Sequence, residues 1–269
     1  MSGAALVSSI QWVALLGSLL TAAKLYWSGL YRRYRVFFAY FLFRVPNALV
    51  PLLVKHDSPV YFYVWILTEP LIWMFYIWVV LELCGLVLER HGGLYTLGKW
   101  AMSLGMTVSV TISVLSVLAK FKAATPQQSV VTLNTSLIWY FYAADRGVTF
   151  CLAIFLLLML LLLSRYPVRL SRNVVLHTTL YTIYFLSSTL GMMLATIFGP
   201  HRFDTIGTGL MAVSALCIVA WFVFLNPKGE EVRVNIPHFT PENEHRILFH
   251  LDSLNSTLLK AARQEIIRN

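Results

Sequence analysis

Two glutamates lie inside one of the most apolar stretches of this 269-residue sequence. Glu69 and Glu82 both fall within the run from Val60 to Arg90. A carboxylate in hydrocarbon is costly unless it meets a partner, water or a proton. Such side chains are therefore expected inside a helix bundle, where they often mark a functional site.

Three more charged residues are predicted at the depth of Glu69. Arg44 lies 13 residues before Asp57, in the turn that follows the second apolar run, and Glu69 lies 12 residues after it. At the rise of an α-helix, both residues are roughly 15 Å below the same end of the bundle. Asp145 and Arg146 lie near the middle of the fifth apolar run. We therefore predict a buried ion-pair network of zero formal charge.

This predicted network has two interpretations that the sequence leaves open. A structural network would fix which helices are neighbours, because an unpaired partner would be costly. A functional network would bind a ligand or conduct protons, as ionisable groups inside membranes often do. The balanced charge argues against a route for ions of one sign.

A second polar layer is predicted nearer the opposite end of the bundle. Glu82 lies six residues before the end of Val60–Leu88, and His177 lies seven residues inside the sixth apolar run. Tyr181 follows one helical turn later on the face of His177. Histidine titrates near neutral pH, so a sensor is one interpretation. A structural histidine that is hydrogen-bonded to a neighbour is the commoner one.

The composition predicts an integral membrane protein. The chain is 58% hydrophobic and 12% charged, whereas soluble domains are about 25% charged. The net charge of +9 comes mostly from residues in short loops between apolar runs, which argues against nucleic acid as a partner. The expected location is a cell membrane such as the bacterial inner membrane, with the lipid bilayer as partner.

Seven apolar runs are each long enough to cross a hydrocarbon core of about 30 Å. They cover Ala4–Tyr26, Val36–Val54, Val60–Leu88, Leu97–Leu118, Ser136–Leu163, Leu170–Phe198 and Phe203–Leu225. The sequence thus predicts an all-α fold, with a seven-helix domain over residues 1–226.

The distribution of basic residues predicts the orientation of this domain. One set of loops carries nine: Lys24, Arg32, Arg33, Arg35, Arg90, Lys99, Arg165, Arg169 and Arg172. The other set carries four: Lys55, Lys120, Lys122 and Arg202. Because basic loops stay on the cytoplasmic side, the amino end is expected outside and the carboxyl end inside.

Residues 227–269 form a polar tail with a predicted amphipathic helix at about 241–267. Thr240 and Pro241 are typical of a helix start. An apolar stripe then follows with helical spacing: Ile247, Leu251, Leu254, Leu258 and Ala261. The helix is expected to lie on the membrane or against the bundle, and the tail is a candidate site for a protein partner.

Neither a cofactor nor a metal is expected. Haem needs axial histidines inside the bundle, and His177 is the single candidate well inside an apolar run. Retinal needs a lysine in the last helix, and Phe203–Leu225 contains none. The chain also lacks a Walker loop, an H-E-x-x-H motif and a Ser/His/Asp signature, so an enzyme is not expected.

These patterns favour a non-enzymatic, receptor-like or sensory module that acts through a separate partner. A transporter or channel subunit that uses the buried Arg/Glu/Asp layer is the first alternative. A scaffold subunit of a larger membrane complex is the second.

Overall fold

The computed structural model of the protein is almost entirely helical. It describes residues 3–54, 58–88, 92–123, 133–165, 170–198, 203–231 and 233–234, and parts of 248–260. Seven long helices follow one another: α1 Gly3–Trp27, α2 Arg35–Leu53, α3 Pro59–Val87, α4 Gly92–Ala123, α5 Leu133–Arg165, α6 Arg172–Phe198 and α7 Phe203–Phe224. Their ends differ from the predicted runs by five residues or fewer, which confirms the all-α class.

Four short elements of the described chain were not predicted. A 3-10 turn, Leu30–Arg32, precedes α2, and the short helix α8, Lys228–Glu231, follows α7. Strands β1, Leu170–Ser171, and β2, Arg233–Val234, pair antiparallel. Elements of two to four residues are too short to show a hydrophobic period, so no sequence pattern predicts them.

Five of the described helices are long and apolar enough to cross a membrane. These candidate spans are Ala5–Trp27, Arg35–Leu53, Pro59–Val87, Tyr140–Leu161 and Thr205–Phe224, which belong to α1, α2, α3, α5 and α7. The two remaining long helices, α4 and α6, contain more glycine, serine and threonine. Several apolar helices of this length are typical of membrane proteins.

Helix α3 lies among the other helices rather than at the edge of the bundle. It contacts α2, α4, α5 and α6. Helix α1 packs against α2 and α7, while α6 packs against α5 and α7. The glutamates of α3 are therefore held close to neighbouring helices.

A cluster of aromatic rings joins α2, α6 and α7, and we call it the aromatic core. The ring centroid of Phe37 lies 4.3 Å from that of His177 and 5.3 Å from that of Trp221. Tyr181 lies 4.6 Å from Trp221, and Phe41 lies 4.9 Å from Phe37. Edge-to-face aromatic pairs of this kind add to the free energy of apolar burial.

Helices α4 and α5 approach each other closely at Gly147. The hydroxyl of Ser109 donates to the carbonyl oxygen of Gly147 over 2.8 Å. A Cβ atom at residue 147 would lie 3.0 Å from the carbonyl oxygen of Ser109 and 3.0 Å from Cα of Val110. Both are backbone atoms, so the two helices would have to move apart to accept a side chain.

Gly147→Ala is therefore expected to lower the free energy of unfolding by about 1–3 kcal/mol. Gly207→Ala is the matched control, because a Cβ at residue 207 meets nothing within 4 Å. That change is expected to stabilise α7 by about 0.5–1 kcal/mol through helix propensity. Chemical unfolding of both variants in detergent micelles measures the difference. Equal effects would contradict the close approach.

The tail is described in part. Residues 248–250 and 255–257 are helical, and Leu248 and Phe249 are exposed. The predicted apolar stripe lies outside the described residues: Ile247, Leu251, Leu254, Leu258 and Ala261. The same holds for residues 55–57, where the sequence predicts a turn.

Candidate ligand-binding site

Arg44 points from α2 towards α7. Its Nη1 donates to the hydroxyl of Tyr40 over 2.5 Å, and its Nη2 donates to Oγ of Ser214 over 2.8 Å. Its Nε is buried and has no hydrogen-bond partner among the described residues. The predicted ion pair with Glu69 does not form. Counting residues gives the depth of a side chain but not its direction around the helix axis, and here the directions differ.

A cavity of about 250 Å³ opens beside Arg44, between α1, α2, α6 and α7. We call it the Arg44 cavity. Its polar lining consists of Gln11, Arg44, Tyr184, Ser187, Ser188 and Ser214. The rest of its described lining is aliphatic or methionine. Arg44 is the single charged residue among the described residues that line it.

Hydroxyl groups, not carboxylates, surround the guanidinium of Arg44. The guanidinium carbon lies 5.7 Å from the ring centroid of Tyr40. Nearby, the hydroxyls of Tyr76 and Tyr184 form a hydrogen bond of 2.6 Å. In the described part of the chain, no carboxylate lies within ion-pair distance of Arg44. The positive charge is therefore solvated by dipoles and remains without a counter-ion there.

Glu69 and Asp145 belong to the interface of α3 and α5, and neither forms an ion pair with Arg44. The indole Nε1 of Trp73 donates to Oδ1 of Asp145 over 2.9 Å. Glu69, one turn before Trp73, lies within electrostatic range of Asp145. Tyr142 lies within range of both carboxyl groups. Two of the four residues of the predicted network are therefore near each other, but they form an acidic pair rather than a balanced network.

Arg146 follows Asp145 in the sequence but lines a different cavity. Its side chain lies in a groove between α4, α5 and α6. Successive residues of a helix project about 100° apart, so neighbours in sequence face different helices. The four residues of the predicted network thus occupy three separate places.

The second predicted layer lies together, with Glu82 within electrostatic range of Tyr181, but no hydrogen bond joins its described members. Glu82 accepts the backbone N–H groups of Val36 over 3.0 Å and Phe37 over 3.2 Å, which lie in the first turn of α2. His177 is buried in the aromatic core, and neither of its nitrogens has a hydrogen-bond partner in the described ranges. Tyr181 is buried there as well, which agrees with its predicted position on the face of His177.

A polar cluster that the sequence did not predict lies where α8 meets the bundle, and we call it the Glu230 cluster. Tyr34 donates its hydroxyl to Oε1 of Glu230 over 2.5 Å, and Asn173 donates its amide to the same oxygen over 2.7 Å. Nε of Arg33 lies 3.0 Å from Oε2 of Glu230. Burial, followed by the hydrogen bond to Glu230, raises the pKa of Tyr34 well above its usual range. These residues are far apart in sequence, so no local pattern connects them.

Comparisons with models of protein families, with curated proteins and with solved structures give no match. The function therefore has to be inferred from the site itself.

Proposed function

We propose that this protein is a seven-helix integral membrane receptor that binds a small anionic ligand in the Arg44 cavity and acts through a separate partner. The carrying observation is the part-buried guanidinium of Arg44 beside a cavity, with no carboxylate within ion-pair distance of it among the described residues. A guanidinium has five N–H donors and no acceptor. Tyr40 and Ser214 accept hydrogen bonds from two of these N–H groups, so three N–H groups remain.

The size and charge of the cavity limit the ligand. Most sites for drug-sized molecules measure about 300–1,000 Å³, and the Arg44 cavity measures about 250 Å³. One arginine balances one negative charge, and carboxylates match the planar guanidinium. A small monocarboxylate fits both limits, with its apolar part against the aliphatic lining.

The position of the cavity supports entry of a ligand from the outer side of the membrane. Most of its lining residues lie in the first half of α1, the second half of α6 and the first half of α7, and those on α6 and α7 are close to the helix midpoints. In the orientation that the basic residues favour, these half-helices belong to the outer side of the membrane. A ligand from the exterior would then reach Arg44 without crossing the bilayer.

Ring contacts connect the cavity to the Glu230 cluster. Tyr40, which accepts from Arg44, lies 5.4 Å from Phe41, between ring centroids. The aromatic core continues this packing to His177, whose ring lies 4.6 Å from that of Tyr34. Tyr34 in turn donates to Glu230 on α8. Contiguous packing of this kind supports coupling between a ligand on one side and a partner on the other.

The test measures ligand-dependent stability of the full chain in lipid nanodiscs. Small carboxylates such as acetate, propionate and benzoate are compared with their neutral amides and with phosphate. A carboxylate at one hundred times its Kd should stabilise the wild type by about 2.7 kcal/mol. Arg44→Gln should remove this effect, while Arg32→Gln, which changes an exposed arginine, should preserve it.

Two results would contradict the receptor proposal. One is equal stabilisation of the wild type and Arg44→Gln, which would place binding elsewhere. The other is stabilisation by the neutral amides alone. Because Arg44→Gln could also disturb folding, Ser188→Ala provides a second variant, which alters the cavity wall and leaves Arg44 in place. It should weaken binding without lowering the stability of the free protein.

A transporter is the second candidate function, and the acidic pair of Glu69 and Asp145 favours it. Two carboxyl groups within one membrane-embedded interface are typical of proton or cation coupling. Proteoliposomes that contain the same protein distinguish the two candidates. If the wild type takes up the bound carboxylate and Glu69→Gln does not, the result favours a transporter. Binding without uptake favours a receptor.

A further inference from the structure

The groove that contains Arg146 is separate from the Arg44 cavity and has a polar and an apolar end. It measures about 540 Å³ and lies between α4, α5 and α6. We call it the Arg146 groove. Its polar lining is Ser109, Ser113, Arg146 and Thr189. Towards the other end its walls include Gly105, Cys151 and Ile154.

The two ends are separated along the membrane normal. Arg146 and Ile154 are eight residues apart on α5, which corresponds to about 12 Å. A Cβ at Gly147 would touch Ser113, and one at Gly105 would touch Cys151, so α4 runs beside α5 in the opposite direction. The hydroxyl of Ser113 therefore lies at the depth of Arg146, and Gly105 lies deeper.

The rim of the groove is apolar and exposed on the surface of the bundle. Ile112 is 62% exposed and Phe150 is 48% exposed. Met193 on α6 is also exposed. In a protein that crosses a membrane, apolar side chains in this position contact acyl chains rather than water. The groove is thus open to lipid along its length.

Arg146 lies in the first half of α5. It is 13 residues, or about 20 Å of helix, from Leu133, where α5 begins. The long side chain of an arginine can extend towards the interface while its stem stays in the apolar region. Near it, Oγ1 of Thr189 is buried and has no hydrogen-bond partner within the described ranges.

We propose that the Arg146 groove is a binding site for an anionic phospholipid of the leaflet that surrounds the amino-terminal end of α1. The phosphate contacts Arg146 and the hydroxyl of Thr189, and one acyl chain follows the groove towards Ile154. Charge complementarity favours this occupant, because an arginine next to a hydroxyl donor binds phosphate strongly. The site is independent of the Arg44 cavity, so either proposal can fail alone.

The test uses native mass spectrometry of the full chain, taken from nanodiscs with equal parts of phosphatidylglycerol and phosphatidylcholine. The wild type should retain phosphatidylglycerol in preference to phosphatidylcholine. Arg146→Gln should reduce this preference about tenfold, as expected for loss of one charge-assisted contact. Arg32→Gln removes the same charge from an exposed residue near the opposite end of the bundle and should leave the preference unchanged.

Two further variants keep the test decisive if Arg146→Gln folds poorly. Val108→Trp fills the groove from its exposed rim and should reduce retention of both lipids. Arg146→Lys preserves the charge and should preserve most of the preference. An unchanged preference in Arg146→Gln, or unchanged retention in Val108→Trp, would overturn the proposal. Displacement of the phospholipid by equimolar oleate would assign the groove to a free fatty acid and would also overturn it.

Discussion

Glu82→Ala is expected to lower the free energy of unfolding by about 2–5 kcal/mol, because it leaves two part-buried backbone donors without an acceptor. The first N–H groups of an α-helix have no partner within the helix. In α2 the residue before the helix, Tyr34, makes no side-chain capping bond. Glu82 of α3 replaces the missing cap, since its two oxygens accept from Val36 and Phe37.

Two measurements separate this role from a general packing defect. Chemical unfolding in micelles gives the loss in free energy, and hydrogen exchange should accelerate at the amides of Val36 and Phe37 before other amides of α2. Glu82→Gln retains one acceptor oxygen and should lose about half as much stability. Glu231→Ala, at an exposed glutamate, is the control and should change neither quantity. Unchanged exchange at both amides in Glu82→Ala would contradict the capping role.

The sequence located the long helices because their apolar runs are long and their interruptions are distinct. Ser58 and Pro59 are an example of residues that mark the start of a helix clearly in the sequence. Ser58 caps α3 by accepting from the N–H of Val60, and Pro59 takes the first helical position. A serine cap followed by proline is a known start signal. Such signals depend only on residues close in sequence, so they can be recognised without a structure.

The partners of the buried charges could not be predicted in the same way. Residue counting placed Arg44 and Glu69 at one depth, but Arg44 contacts Ser214 on α7 whereas Glu69 lies near Asp145 on α5. Which helix a side chain meets depends on how all the helices pack around each other. An almost uniformly apolar helix surface carries little information about that packing, because lipid and protein neighbours favour the same side chains.

Glu82 and Glu230 illustrate a further limit. Each binds groups that lie far away in the sequence, and Glu82 binds backbone donors that every helix start possesses. No residue type or spacing marks a backbone donor as the partner of a distant carboxylate. By contrast, the common position of His177 and Tyr181 on one helix face follows from helical spacing alone, although the sequence predicted a polar layer there and not an aromatic core.

The Glu230 cluster holds α8 against the start of α2 and the start of α6. Glu230 accepts from Tyr34 and Asn173 and pairs with Arg33. Asn173 also donates to the carbonyl oxygen of Asn226 over 2.8 Å. Arg33 is about half exposed, so its pairing contributes little. The bonds from the buried groups Tyr34 and Asn173 therefore provide most of the stabilisation.

Glu230→Ala is expected to release this segment and to lower the free energy of unfolding by about 2–4 kcal/mol, since two buried donors lose their acceptor. Hydrogen exchange should accelerate in residues 228–234 while α3 and α5 keep their protection. Glu231→Ala is the matched control, because Glu231 is the adjacent residue and is exposed. Equal exchange in the two variants would show that Glu230 does not hold α8 in place.

The same cluster gives the protein a dependence on alkaline pH that can be assigned to one group. The pKa of Tyr34 is higher in the folded protein than in the unfolded chain, where tyrosine titrates near about 10. The neutral phenol therefore stabilises the fold fully below about pH 10, and this contribution decreases as the pH rises above that value. Tyr34→Phe should cost about 1 kcal/mol at neutral pH, for one hydrogen bond. Above about pH 10, the variant should also lose less stability per pH unit than the wild type, by the amount that one ionising group contributes. An unchanged loss per pH unit would mean that Tyr34 ionises as freely in the folded protein as in the unfolded chain.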